Sequence, residues 1–235
     1  MITRIPIHSL RVLCISLFAS VGCTASESVV EPSNSQPTNV SADTQLTAEA
    51  PEQSENAGAL ADKIKFKGAN GETAFSVKPE PDGAKLVDEK EKEIARFNLK
   101  DTKLKIKDAD DVVLAYVIAS NGKYKIENAE QSVELWKLQA QADGDWKLED
   151  GNQKLIYKIK KRDYGYEIED DNEASLFKAK LKDGKTSLRN SSDSTVLYTK
   201  DPVSTLAFTC HGLKAIDSEA VRTGLMVLMI LHPPK

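Results

Sequence analysis

Lys103-Leu-Lys-Ile-Lys-Asp-Ala-Asp-Asp-Val-Val-Leu-Ala-Tyr116 decides the fold of this chain. Leu104 and Ile106 alternate with three lysines, so one face is apolar and the other charged, which is the period-two pattern of a half-buried antiparallel strand. Asp108-Ala-Asp-Asp111 supplies turn chemistry, because Asp and Asn hydrogen-bond their own backbone and tolerate left-handed conformations. A second strand, carrying Tyr116, then runs back. The segment reads as one β-hairpin.

The plan recurs in six copies. First strands end at Asp88, Asp108, Asn128, Asp150, Asp170 and Asn190, at intervals of 20, 20, 22, 20 and 20 residues. Second strands carry Phe97, Tyr116, Trp136, Tyr157, Phe177 and Tyr198, at intervals of 19, 20, 21, 20 and 21. Lys123-Tyr-Lys-Ile-Glu127 and Gly165-Tyr-Glu-Ile-Glu169 repeat the alternation, and Lys154–Lys160 sends Leu155, Tyr157 and Ile159 to one side. Upstream, Ile64–Lys67 and Ala74–Lys78 flank Asn70-Gly71, a strong tight-turn dipeptide that adds a leading hairpin. A fixed period marks a repeat architecture. Twelve strands, or fourteen with the leading hairpin, are too many for one flat sheet.

The period changes after Asp201. Val203, Leu206, Ala207 and Cys210 fall at i, i+3, i+4 and i+7, with Pro202 in the first turn and Gly212 as the cap, which predicts a helix over 202–211. A second helix is predicted over 217–231, capped by Asp217 or Ser218 and stopped by Pro233-Pro234. Its last part, Gly224–Leu231, is apolar on every side, as in a helix buried all round. At about 22 Å it is too short to span a bilayer. The expected architecture is mainly β: an antiparallel barrel of 12 to 14 strands in repeated hairpins around a C-terminal hydrophobic helix. The alternative is a β-sandwich with the helices packed on one side.

Six Asp/Asn-to-aromatic hairpins followed by a terminal apolar helix resemble the tubby C-terminal fold, shared by the tubby, LURP-one and phospholipid scramblase families. The resemblance covers residues 63–235 and implies a closed barrel threaded by a hydrophobic helix. Tubby proteins bind phosphoinositides and scramblases act on lipids, but no site residue of either matches a position here.

The chain starts Met1-Ile-Thr-Arg4, with Arg11 before an uncharged run from Val12 to Gly22. This is the pattern of a secretory signal peptide over residues 1–22. Ala19-Ser-Val-Gly-Cys23 resembles the bacterial lipobox, with Ser20 where Leu is most typical. The resemblance implies cleavage before Cys23, lipidation of its thiol and amino end, palmitate included, and membrane attachment through that anchor. Thr24 rather than Asp in the next position implies the outer membrane of the bacterial envelope. The alternative is a secreted or soluble periplasmic protein.

Residues 24–62 are rich in Ser, Thr, Pro, Asn, Gln and Ala and hold seven acids without a Lys or Arg. Such a stretch buries too little apolar surface to offset its chain entropy, so it is read as a disordered acidic linker with a reach of about 35 Å. Residues 1–62 contain two of the 32 basic and seven of the 36 acidic residues, which leaves 30 against 29 in the domain spanning 63–235. The acidity belongs to the linker, and no nucleic-acid partner is expected. Of three cysteines, only Cys210 stays in the domain, so no internal disulfide is available.

Candidate chemistry is sparse. Cys210-His211 is the sole Cys/His pair, and adjacent helical residues point about 100° apart, which favours a structural thiol. Asp108–Asp111 and Glu169–Glu173 are oxygen-rich but lack a full Ca²⁺ loop, so they read as solvated turns. No metal or cofactor site is expected. Lys158, Lys160, Lys161 and Arg162, with Lys178 and Lys180, could form a patch for anionic lipid or polysaccharide, although Glu167, Glu169 and Glu173 lie between them. The chain is read as a non-catalytic, tethered binding or structural envelope lipoprotein with an envelope protein or lipid as partner. The alternative is a protein that handles lipid or another anionic ligand through the basic face.

Overall fold

A computed structural model describes Leu60 and residues 62–234. The signal, Cys23 and almost all of the acidic linker lie outside the described residues. The strands are β1 (Ile64–Gly68), β2 (Thr73–Glu80), β3 (Gly83–Asp88), β4 (Glu93–Lys100), β5 (Lys103–Asp108), β6 (Val113–Ser120) and β7 (Lys123–Glu127). They continue with β8 (Glu134–Ala140), β9 (Trp146–Asp150), β10 (Leu155–Arg162), β11 (Gly165–Glu169), β12 (Ser175–Lys182), β13 (Lys185–Asn190) and β14 (Thr195–Thr199). Each pairs antiparallel with its neighbours in sequence, and β1 pairs with β14 through Lys67↔Tyr198 and Gly68↔Leu197. The fold is therefore a closed barrel of fourteen strands, and the sandwich is excluded.

The repeat has a clear physical basis at the turns. Asp108 Oδ1 accepts from the N–H of Asp110 (3.0 Å) and Val112 (2.9 Å), while Asp108 N–H donates to Val112 O and Asp111 N–H to Asp108 O. Asp88, Asp150, Asp170 and Asn190 do the same at their turns, and Asn128 caps Ser132 and Val133. The fourth residue of each turn is left-handed. Gly71, Glu91, Asp111, Gln131, Gln153, Glu173 and Asp193 have φ between 55° and 84°. Six of the seven lack the glycine such a backbone prefers, so the side-chain acceptor at the turn's start must hold it.

Beyond each of these turns the returning strand carries one extra residue, a β-bulge. The bulge residues are Ala74, Ile94, Leu114, Leu135, Ile156, Leu176 and Val196. A bulge steepens local twist, which helps a sheet close. The bulges also explain the aromatic spacing. Trp136, Tyr157 and Phe177 follow their bulge directly and pair with Ile126, Leu148 and Ile168. Phe97 lies three residues after Ile94, whereas Tyr116 and Tyr198 lie two after theirs and face outward, opposite Lys105 and Lys67. The six aromatics thus occupy three different structural positions.

Inside, Leu86, Ile106, Ile126, Leu148, Ile168 and Leu188 form one circumferential layer, each at most 1% exposed. The C-terminal segment completes this core. The expected helix over 202–211 is corrected to a four-residue turn, α1 (Thr205–Phe208), and a 3₁₀ turn at Thr209–Gly212. Val203 cannot enter a helix because its carbonyl accepts from Thr186 Oγ1 on β13 (2.9 Å), and Ser204 caps the Ala207 N–H instead. The second helix, α2 (Glu219–Leu231), is capped by Ser218 Oγ and is buried at ten of its thirteen positions. It packs on β3 to β6, while α1 packs on β11 to β13. Among the described residues, no helix is long and apolar enough to cross a membrane.

Candidate functional site

Cys210 and His211 sit inside the barrel. The Cys210 thiol is fully buried, its Sγ 3.5 Å from Met229 Sδ, and burial pushes its pKa up, away from the nucleophilic thiolate. The His211 ring packs against Phe66, Phe75 and Phe208 at centroid distances of 5.1, 5.3 and 5.7 Å. Burial first, then the cations Arg222 and Lys214, push its pKa down to about 3, so the imidazole is neutral. Arg222 itself is 7% exposed and holds the loop before α2 by donating Nη1 to the carbonyls of Ile216 and Asp217. These groups belong to the core, with the thiol and the imidazole both shut away from the surface.

The acid-rich turns spend their carboxylates locally. Asp108 and Asp170 each use one oxygen on two backbone N–H groups, and Asp111 pairs with Lys107 at 2.9 Å. Among the described residues, no three His, Cys, Asp or Glu side chains gather as metal ligands do.

Five of the six candidate patch cations come together on the outer wall of β10 and β12, and β11 between them brings carboxylates into their midst. Lys158 pairs with Glu173 (2.8 Å), Lys160 with Glu169 (3.0 Å), Arg162 with Glu167 (3.0 Å) and Glu169 (3.2 Å). Lys178 approaches Glu167 at 3.8 Å, and Lys180 pairs with Asp193 at 2.8 Å. Lys161 lies apart at the turn end, where its backbone N–H donates to Asp145 Oδ1 (2.7 Å). The Lys158 ammonium holds the Glu173 carboxyl below its usual range, and Lys180 does the same to Asp193. This wall is an ion-pair lattice in which each of these five cations has an anion within 4 Å.

A different arrangement occurs six strands away around the barrel. On the outer face of β4 to β6, Lys103 and Lys105 place their Nζ atoms 5.4 and 5.7 Å from the centroid of the Tyr116 ring. The ring is only 8% exposed, because the two lysine stems cover it. Lys103 donates to Gln131 Oε1. Among the described residues, Lys100, Lys103 and Lys105 form no ion pair. With Asn98, Leu99 and Gln131 they line a half-open groove of about 300 Å³. Sequence reasoning passed over this cluster because Lys103-Leu-Lys-Ile-Lys107 looks like any solvated strand face. Which lysines have a carboxylate across the strand depends on register, and register is not printed in one strand.

No protein-family model matches the chain, and no curated protein matches it. Among solved structures, a protein from Arabidopsis thaliana is similar at 9% identity and a TM-score of 0.36, over 66% of this chain and 90% of that one. An alternansucrase in complex with isomaltononaose is similar at 13% identity and a TM-score of 0.14, over 53% of this chain and 13% of that one. At these scores neither likeness bears on fold or function.

Proposed function

We propose that this protein is a non-catalytic envelope lipoprotein, exported, held at the membrane by lipid on Cys23, and acting through the outer wall of a tethered barrel. The observation that carries this reading is the filled interior. Leu225, Met226, Val227 and Leu228 of α2 are all 0% exposed within the same core as the inward strand residues. Where a small barrel of another design would hold a ligand, this one holds its own helix. Binding is thereby left to the outer surface. Kinship with the tubby C-terminal fold belongs to the same proposal, supported by a closed antiparallel barrel with a terminal apolar helix, from which the leading hairpin departs.

Two measurements test it. Cells expressing the full chain are labelled with palmitate and fractionated, beside Cys23→Ser. The wild type is expected in the outer-membrane fraction with label, and the variant unlabelled and released; equal labelling of both removes the anchor. The purified full chain is then screened against ester, peptide, glycoside and phosphate substrates. Turnover abolished by one substitution would overturn the non-catalytic reading.

A further inference from the structure

We propose that the groove over Tyr116 binds an acidic glycan, a sugar chain carrying carboxylate or sulfate groups. This rests on the reading that the outer wall is the binding surface, and it names the place and the ligand class. Two ammonium groups lie within 6 Å of one ring centroid, so two like charges border the same ring. The negative face of the aromatic ring holds them there. Among the described residues, no carboxylate lies within 4 Å of either ammonium. Asp111, whose charge Lys105 feels, is paired with Lys107 at 2.9 Å. On the β10–β12 wall the five clustered cations each have a carboxylate within 4 Å, whereas the two ammonium groups over Tyr116 have none.

The remaining lining decides the class. Asn98 and Gln131 bring amide groups that can donate to and accept from hydroxyls, as sugar recognition needs. Leu99 supplies apolar surface for a sugar's C–H face. The groove is half-open along the strands, which suits a chain laid across it better than a small ion enclosed. A bilayer fits less well. It meets protruding cations, whereas Lys103 and Lys105 are folded down onto the ring and only partly exposed.

Isothermal titration of the purified full chain tests this with five probes: a short heparin fragment, a short polygalacturonate, neutral dextran of matched length, inorganic phosphate, and phosphatidylglycerol vesicles. Lys103→Gln with Lys105→Gln removes the paired charge, and Lys160→Gln with Lys178→Gln is the control on the ion-paired wall. Unchanged melting of both variants shows that the fold is kept. At least one acidic oligosaccharide is expected to bind, about tenfold more weakly to the groove variant and within about twofold to the control. Dextran is expected not to bind. Equal weakening by both variants, or groove-dependent binding of phosphate or vesicles without the oligosaccharides, overturns the proposal. Groove-independent binding would leave the non-catalytic reading standing, whereas cleavage of a probe sugar would overturn that reading instead.

Discussion

Replacing Asp170 tests whether side-chain acceptors hold the repeat together. Its Oδ1 accepts from Asn172 N–H and Ala174 N–H, both at 2.9 Å, and Glu173 beside it is left-handed at φ 64°. Each such bond contributes about 1 kcal/mol net, toward the lower end where water competes. Asp170→Ala is therefore expected to cost about 1–2 kcal/mol, the range of a lost helix cap. For a domain of this size that lowers the melting temperature by roughly 2–8 °C. Asp170→Asn keeps the acceptor, as Asn190 does at 3.1 and 3.0 Å, and removes one charge next to Asp171 and Glu173. It is expected to stay within about 0.5 kcal/mol of wild type. Urea denaturation followed by circular dichroism reads both, with the slope checked for constancy. If Asn costs as much as Ala, charge rather than the acceptor matters. If Ala costs nothing, the backbone pair Asp170 N–H to Ala174 O and Glu173 N–H to Asp170 O closes the turn unaided.

Gly224→Ala adds a Cβ 2.4 Å from Ile106 Cδ1 inside the barrel. Overpacking of about 1–3 kcal/mol outweighs the gain in helix propensity of about 1 kcal/mol. Net destabilisation in urea is expected, partly relieved when Ile106→Val removes that methyl. His211→Phe tests the buried imidazole. Its folded pKa is about 3 against 6.5 unfolded, so between those values only the unfolded chain takes up its proton. Stability contributed by neutral His211 is present above pH 6.5 and is lost as pH falls toward 3, by about 1.4 kcal/mol per unit. The variant is expected to show a stability–pH slope shallower by that amount between pH 6 and 4, and parallel slopes would refute it. Gln153→Gly relieves a non-glycine residue at φ 63° and is expected to raise stability by about 0.5–1 kcal/mol, read from the denaturation midpoint.

Much of the fold was legible because its causes are local. Leu104 and Ile106 alternating with lysines make a strand face wherever the chain goes, and Asp108 caps a turn through atoms two and four residues away. The spacing of Asp88 through Asn190 therefore reported a real structural device. The aromatic spacing reported less. Tyr116 and Tyr198 fall out of the inward register by one residue, and in a strand one residue reverses the face. The helix expected over 202–211 starts only at Thr205, and tightens to a 3₁₀ turn from Thr209, for a reason beyond local sequence: the grip of Thr186 on the Val203 carbonyl comes from a strand many residues earlier. The candidate patch was grouped by proximity in sequence. Its five wall cations did gather in space, but so did their carboxylates.

The sequence by itself determined the hairpin, its six copies with a leading hairpin before them, the turn chemistry and an apolar C-terminal helix too short for a bilayer. Each of these follows from alternation, capping and length within a few residues. Only the tertiary structure decided that β1 meets β14, that Gly224 lies against Ile106, and that Lys103 and Lys105 share a ring while Lys160 and Lys178 pair with Glu169 and Glu167. Closure, helix approach and ion pairing are set by which strand lies beside which and in what register. Those are properties of the whole barrel, fixed when all its strands pack around one core.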